Sequence, residues 1–171
     1  MRVLLLCGSL RAESVNRALL RAFAEQAPAA AEVQFFDGLN AIPIFNPDHE
    51  KPEPESVKVF RLALEQADAV VVACPEYAHG IPGAFKNALD WVVSSTGLQD
   101  KPTLVLTALG RSRHVPMQLA EVLSTMSARI LGPYLAGIHT TVAAAQAELQ
   151  TPTKQVMMGK WWNELEEATK G

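Results

Sequence analysis

The sequence predicts an α/β fold in which helices cover both faces of a doubly wound, five-stranded parallel sheet. Short apolar runs alternate with longer segments of helical periodicity along the 171 residues, as strands and helices do in such a sheet. Residues 69–74 are apolar without interruption, as expected of a central strand that is covered on both faces. Two of the apolar runs lead into polar or Gly/Pro-rich segments, and ligands bind at the carboxyl ends of parallel strands.

The amino-terminal half is predicted to contain two further strands, two helices and a long loop. Residues 3–7 form the first strand, and residues 15–27 form a helix with apolar residues along one side. Residues 32–37 form a weaker second strand that lies nearer an edge. Residues 38–54 are rich in Pro and polar residues and are predicted to be a loop, which is followed by a helix over 57–66.

The carboxyl-terminal half continues the alternation. A helix is predicted over 83–94, a strand over 103–108 and a helix over 116–129. Residues 130–140 contain two glycines and a proline, so the last strand is predicted to be short and bent. A final helix is predicted over 155–168.

Composition excludes several classes of function. With 171 residues, 49% of them apolar and 19% charged, the chain is predicted to form one domain over 1–171. A net charge of −3 offers no basic surface for nucleic acid. We expect no membrane association, because no apolar run reaches spanning length and polar residues follow the first run too soon for a signal peptide. Cys7 and Cys74 lie in apolar runs, which favours buried, inert thiols and a cytoplasmic location.

The segment after the first strand, residues 8–17, has the side chains of an anion site. Ser9, Arg11, Ser14 and Asn16 can donate hydrogen bonds where the start of a helix also provides free N–H groups. The segment lacks the spaced glycines of a dinucleotide fingerprint and the Gly-Lys-Ser/Thr of a P-loop, so it fits a mononucleotide better. A second interpretation stays open, in which Ser14 only caps the helix and Arg11 is solvated.

The segment after the central strand, residues 75–83, is restricted in conformation. Its two prolines fix φ, and its two glycines admit close backbone approaches. Such a loop could present backbone groups to the edge of a flat ring, with Tyr77 against an aromatic face and His79 near a substrate. Ordinary packing of Tyr77, a surface position for His79 and a bracing role for Glu76 explain the same residues without a ligand.

Together these segments resemble the NAD(P)H-dependent FMN reductase family of flavodoxin-like proteins, which includes quinone, azo-compound and chromate reductases. The similarity covers nearly the whole chain in order and length. Its specific parts are Gly8-Ser9-Leu10-Arg11, Ser14-Val15-Asn16-Arg17, Pro75-Glu76-Tyr77 and Ile81-Pro82-Gly83-Ala84-Phe85-Lys86-Asn87-Ala88-Leu89-Asp90-Trp91. The resemblance implies a three-layer flavodoxin-like fold with strand order 2-1-3-4-5, FMN as cofactor and NAD(P)H as co-substrate.

The resemblance also assigns cofactor-binding residues on both loops. Those expected on the FMN phosphate side are Ser9, Arg11, Ser14, Val15 and Asn16. Those expected along the isoalloxazine ring are Pro75, Glu76, Tyr77, Ala78 and His79. Many relatives have Asn at the position of Ala78, so contacts at this position are expected from the backbone.

A third loop departs from the family pattern. Relatives often have a Gly-rich turn after the fourth strand, where this chain has Leu109-Gly110-Arg111-Ser112-Arg113-His114. Arg111, Arg113 and His114, together with His79, are the candidate substrate-binding residues, and the arginines could attract the phosphates of a pyridine nucleotide. A solvated basic turn explains the same residues equally well.

The implied function is an oxidoreductase in which hydride passes from NAD(P)H to bound FMN. A ping-pong sequence then passes the electrons to a quinone, a flavin, an azo compound or a metal oxyanion, with no protein nucleophile or metal ligand. Two alternatives stay open, a flavodoxin-type electron carrier without reductase activity and a flavin-free regulatory or scaffold protein. The resemblance also implies a homodimer or homotetramer, with Trp91, Val92 and Val93 as the candidate interface.

Overall fold

The computed structural model describes residues 1–109, 112–138 and 141–170, which form a five-stranded sheet between two layers of helices. The strands are β1 (Arg2–Cys7), β2 (Glu32–Phe36), β3 (Ala69–Ala73), β4 (Pro102–Leu109) and β5 (Arg129–Ile138). All neighbouring strands pair in parallel, in the order β2-β1-β3-β4-β5. The predicted fold class and strand order are confirmed.

β3 occupies the centre of the sheet because both of its faces are covered. All of its residues are fully buried, and successive side chains alternate between the two cores, with Val70 in one and Val71 in the other. Cys74 and Cys7 also belong to cores on opposite faces of the sheet. Burial raises the pKa of both thiols, which disfavours the reactive thiolate form.

Helices cover both faces of the sheet. They are α1 (Val15–Glu25), α2 (Glu55–Gln66), α3 (Gly83–Val92), α4 (Val115–Thr125), α5 (Val142–Leu149) and α6 (Pro152–Lys170). On the face covered by α1, α5 and α6, Trp162 stacks on Phe23 with ring centroids 4.4 Å apart. On the face covered by α2, α3 and α4, Trp91 and Val92 are each 1% exposed. The predicted subunit interface through these two residues is therefore wrong, because both lie in the core of their own chain.

The carboxyl-terminal part differs from the prediction in three respects. α4 ends at Thr125, earlier than expected, because the chain turns through Ser127 at a φ of 61° and enters β5. β5 is ten residues long and is not short, since Gly132 and Gly137 adopt φ values of 93° and 67° and absorb the irregular register against β4. α5 is absent from the prediction, although its alanines favour a helix.

The long loop between β2 and α2 is held against α3. It contains two short 3₁₀ turns, Leu39–Ala41 and Pro47–His49. The side chain of Asn87 accepts a hydrogen bond from the backbone of Phe45 at 2.7 Å and donates one to that of Pro43 at 2.8 Å. These bonds fix the middle of the loop against α3. In the described ranges, none of the helices is both long enough and apolar enough to cross a bilayer.

Candidate functional site

Three loops meet at the carboxyl edge of the sheet, and they follow β1, β3 and β4. The first two are adjacent, because Cys7 pairs with Ala73 and the N–H of Gly8 donates to the carbonyl of Ala73 at 2.9 Å. β1 and β3 are also the strands between which the strand order reverses, since the chain passes from β1 to β2 and then back across to β3. Ligands bind at this point of doubly wound sheets.

The loop after β1 places polar side chains at the start of α1. Ser14 caps the helix, and its Oγ accepts a hydrogen bond from the N–H of Asn16 at 3.2 Å. The Oγ of Ser9 accepts one from the N–H of Arg11 at 3.3 Å. Ser9, Ser14 and Asn16 are 5%, 8% and 5% exposed, whereas Arg11 is exposed. The predicted cap at Ser14 is therefore present, and each hydroxyl keeps its own proton to donate.

A pocket of about 150 Å³ opens beside this loop. Its lining includes Ser9, Arg11, Arg17 and Asp37. Arg17 and Asp37 form an ion pair, and the guanidinium of Arg17 lies 5.6 Å from the centre of the Phe35 ring. Because Arg17 is engaged with Asp37, the exposed Arg11 supplies the positive charge beside Ser9.

The loop after β3 contains a tight turn at Tyr77–Gly80. The backbones of Tyr77 and Gly80 exchange two hydrogen bonds, of 3.1 and 2.9 Å. The two central residues, Ala78 and His79, have φ values of 50° and 61°. A turn with two left-handed residues usually contains Asn or Gly there, so this one is strained by its sequence. Tyr77, in this turn, is 52% exposed.

Glu76 joins the second loop to the third. Its Oε2 accepts hydrogen bonds from the backbone N–H groups of His114 and Val115, at 3.0 and 3.2 Å. The side chain of His114 makes no capping bond at the start of α4, so the carboxylate of Glu76 caps this helix from another loop. Burial alone would raise the pKa of Glu76, but the bonds from Val115, His114 and His79 together lower it. Glu76 is thus a fixed, ionised brace.

The third loop brings His114 onto His79. Their rings lie 4.5 Å apart between centroids, and Nε2 of Gln118 donates to the carbonyl oxygen of His79 at 3.0 Å. Ser112 is buried, whereas Arg113 is exposed. Arg111, the remaining candidate substrate-binding residue, lies outside the described residues. Gln118 could not be predicted as a partner of His79, because no sequence signal links residues 39 positions apart.

The arrangement fits the two ends of a flavin mononucleotide. Buried hydroxyl and amide side chains surround the start of α1, which suits a phosphate. On the loop after the neighbouring strand β3, the exposed ring of Tyr77 and the fixed backbone of Ala78 and His79 suit a flat heteroaromatic ring. The assignment of these residues as FMN ligands remains a prediction.

The sequence is similar to known flavin-dependent reductases. The sequence model of the family described as NADPH-dependent FMN reductase matches residues 1–142. Over 112 residues the chain is 36% identical to the quinone reductase of Escherichia coli K12, an alignment that covers 63% of this chain and 60% of that relative. The chain thus spans 60% of the length of the first curated relatives that it matches.

The fold is similar to those of solved flavoproteins. The flavoenzyme NAD(P)H:(acceptor) oxidoreductase FerB from Paracoccus denitrificans superposes with a TM-score of 0.87 at 23% identity, over 99% of this chain and 97% of that one. A flavodoxin from the domain Archaea superposes with a TM-score of 0.64 at 15% identity, over 100% of both chains. Identities this low show the fold alone, which is flavodoxin-like. The match over residues 1–142 shows that the chain belongs to the NADPH-dependent FMN reductase family.

Proposed function

We propose that this protein is an FMN-dependent NAD(P)H oxidoreductase that reduces a small electron acceptor, with a quinone as the first candidate. The observation that carries the proposal is the adjacency of a polar loop at the start of α1 and an aromatic, rigid turn after β3. Family membership supports FMN as the cofactor. When bound, FMN accepts hydride from NAD(P)H and returns the electrons to the acceptor, in a sequence that we propose to be ping-pong.

In this proposal the start of α1 binds the phosphate of FMN. Ser9, Ser14 and Asn16 donate from their side chains, the first-turn N–H groups around Val15 point at the anion, and Arg11 adds a permanent charge. A hydrogen bond to a charged group contributes about 1.5–3 kcal/mol. Arg11 is exposed, so its contribution belongs at the lower end of this range.

The turn after β3 borders the flavin ring. Ala78 has no side-chain amide, so the proposed contacts at Ala78 and His79 come from backbone groups that the strained turn holds in place. Pro75 and Glu76 set the entry of the chain into this turn. The exposed face of Tyr77 is available to pack against a ring.

The third loop is the proposed site for NAD(P)H. Arg113 and His114 are exposed at the start of α4, next to His79, where positive charge attracts the phosphates of a pyridine nucleotide. Arg111 is included in this proposed site because it is close to Arg113 in the sequence. No resident side chain needs to exchange protons with the flavin for hydride transfer to occur.

A two-substrate kinetic experiment tests the proposal. The purified protein is loaded with FMN, and initial rates of NADPH and NADH oxidation are measured against 1,4-benzoquinone, free FMN, an azo dye and chromate. We expect quinone-dependent oxidation with parallel double-reciprocal lines. Intersecting lines would contradict the ping-pong sequence. Stable FMN binding without NAD(P)H oxidation would leave an electron carrier, and failure to bind FMN would leave a flavin-free protein.

The proposal extends to assembly and location. Tyr77 in the turn after β3 and Met117 in the first turn of α4 are 52% and 67% exposed, and these apolar side chains support the proposal of a homodimer or homotetramer. Sedimentation of the FMN-loaded protein tests this assembly, and a monomer at micromolar concentration would contradict it.

The two buried free thiols support a reducing compartment such as the cytoplasm.

A further inference from the structure

Two histidines and a carboxylate converge where the second loop meets α4. One ligand-type atom from each of Glu76, His79 and His114 lies within 4.8 Å of the other two. Nδ1 of His79 is 3.1 Å from Oε1 of Glu76, and the rings of His79 and His114 meet edge to face at an angle of 66°. Among residues 1–109, 112–138 and 141–170, no other group of three such side chains is this close.

The spacing is close to that of a metal site. In a tetrahedral zinc site, bonds of about 2.0–2.2 Å to nitrogen and oxygen place the ligand atoms about 3.3–3.6 Å from one another. Glu76 and His79 are already within this separation. Both histidines are exposed, so packing does not hold either ring in its present rotamer.

The first ligand is held by the kind of outer contacts that metal sites use. Oε2 of Glu76 accepts two backbone hydrogen bonds, which orient the carboxylate and leave Oε1 facing His79. Gln118 fixes the backbone carbonyl of His79 at 3.0 Å. The side chain of Glu76 is only 14% exposed, whereas that of His79 is 77% exposed. The less exposed Glu76 therefore holds the group of three side chains in place, while the exposed His79 leaves it open to solvent, so a metal ion can enter.

We propose that Glu76, His79 and His114 bind a divalent transition-metal ion of the zinc class, with water in the remaining coordination position. Two imidazoles and one carboxylate suit zinc, nickel or copper and do not suit magnesium, which prefers an octahedron of oxygens. The bound ion ties the turn at Tyr77–Gly80 to the first turn of α4. The site shares Glu76, His79 and His114 with the proposed ring and NAD(P)H sites, but Zn²⁺ binding is measured without turnover and is therefore tested separately from the reductase function.

Zinc titration of the tag-free holoprotein tests the site. After treatment with chelator and buffer exchange, we expect calorimetry to detect one Zn²⁺ per chain and no comparable binding of Mg²⁺. His79→Ala and His114→Ala should each weaken Zn²⁺ binding by about tenfold or more, since each removes one of three protein ligands. Gln118→Ala should weaken it by about tenfold through loss of an outer contact.

A matched control is available in His49, which is exposed on a different loop. His49→Ala should bind Zn²⁺ as the unmodified protein does. Zn²⁺ should raise the melting temperature of the unmodified protein and of His49→Ala, and should not raise that of the double variant His79→Ala/His114→Ala. Three results would overturn the proposal: no detectable Zn²⁺ binding, an equal affinity for Mg²⁺, or Zn²⁺ binding that persists in the double variant.

Discussion

Gly8 offers a direct test of how the crevice is built, because it lies directly against Cys74 at the end of β3. A Cβ added to Gly8 would lie 2.4 Å from Sγ of Cys74, 3.1 Å from its Cβ and 3.3 Å from its Cα. Ordinary van der Waals contact begins at 3.4 Å, so the new methyl group and the thiol must separate by about 1 Å. We therefore predict that Gly8→Ala destabilises the fold by overpacking and not by backbone conformation.

The magnitude follows from the rigidity of the surroundings. Cys74 is 2% exposed and Gly8 is hydrogen-bonded to β3, so neither side can move freely. Overpacking a buried site costs about 1–3 kcal/mol. For a chain of this length, each kcal/mol lowers the melting temperature by about 2–4 °C. Urea unfolding, followed by circular dichroism, measures the difference in the free energy of unfolding.

A second substitution separates the steric cause from other causes. Cys74→Ala removes Sγ, the atom with the shortest contact, so the double variant Gly8→Ala/Cys74→Ala should recover most of the lost stability. The coupling free energy should be at least about 1 kcal/mol, within the range for side chains in contact. Gly159→Ala is the control, since a Cβ there meets nothing within 4 Å. It should raise stability by about 0.5–1 kcal/mol, because alanine is the better helix former.

Two results would refute this reasoning. One is a Gly8→Ala variant as stable as the unmodified protein. The other is a double variant whose loss of stability equals the sum of the single losses.

Three further predictions concern other parts of the molecule. Ala78→Gly should raise the free energy of unfolding by up to about 1 kcal/mol, because Ala78 has a φ of 50°. Ala144→Gly, in the exposed face of α5, should instead lower the free energy of unfolding by about 1 kcal/mol, and urea unfolding measures both changes. Burial and a hydrogen bond to Glu164 raise the pKa of Tyr134 to about 12, above its ordinary 10.0. Between about pH 10 and 12 this tyrosine ionises only in the unfolded chain, so the folded protein should lose stability as the pH rises through this range. Tyr134→Phe should abolish this part of the pH dependence, and an identical alkaline loss in both proteins would contradict it. Cys7 and Cys74 should react with a thiol reagent only as fast as the chain unfolds, and fast labelling in native buffer would place at least one of them outside the core.

Hydrophobic periodicity predicted the helices and strands of the fold, because burial of one face places apolar residues once per turn of a helix and at every second position of a strand. The unbroken apolar run that contains β3 is the clearest example, since both faces of this strand are covered. The same criterion failed at β5, where Gly132 and Gly137 suggested a break. These residues instead take left-handed conformations that let a long strand follow the irregular register of β4. It also misplaced Trp91, because an apolar residue has the same sequence pattern in a core as in an interface.

The connections between loops were beyond the reach of the sequence. The sequence offers a bracing role within its own turn as one alternative for Glu76, but the partner that Glu76 actually holds, the start of α4, lies 38 residues further on. His79 and His114 were separate surface candidates, and only the folded chain brings their rings together. The polar loop of Ser9 to Asn16 was predictable because strand, loop and helix are contiguous there, so local chemistry is sufficient to suggest an anion.

The central claim is that this loop binds the phosphate of a flavin mononucleotide. Titration of the apoprotein with FMN and with riboflavin, which lacks the phosphate, tests it by quenching of flavin fluorescence. FMN should bind at least about tenfold more tightly than riboflavin, which corresponds to one charge-assisted hydrogen bond of about 1.5 kcal/mol. Arg11→Ala should reduce the difference in affinity between FMN and riboflavin. Arg129 is an exposed arginine at the opposite edge of the sheet, so Arg129→Ala should leave this difference in affinity unchanged. Equal affinities for FMN and riboflavin in the unmodified protein would contradict the account.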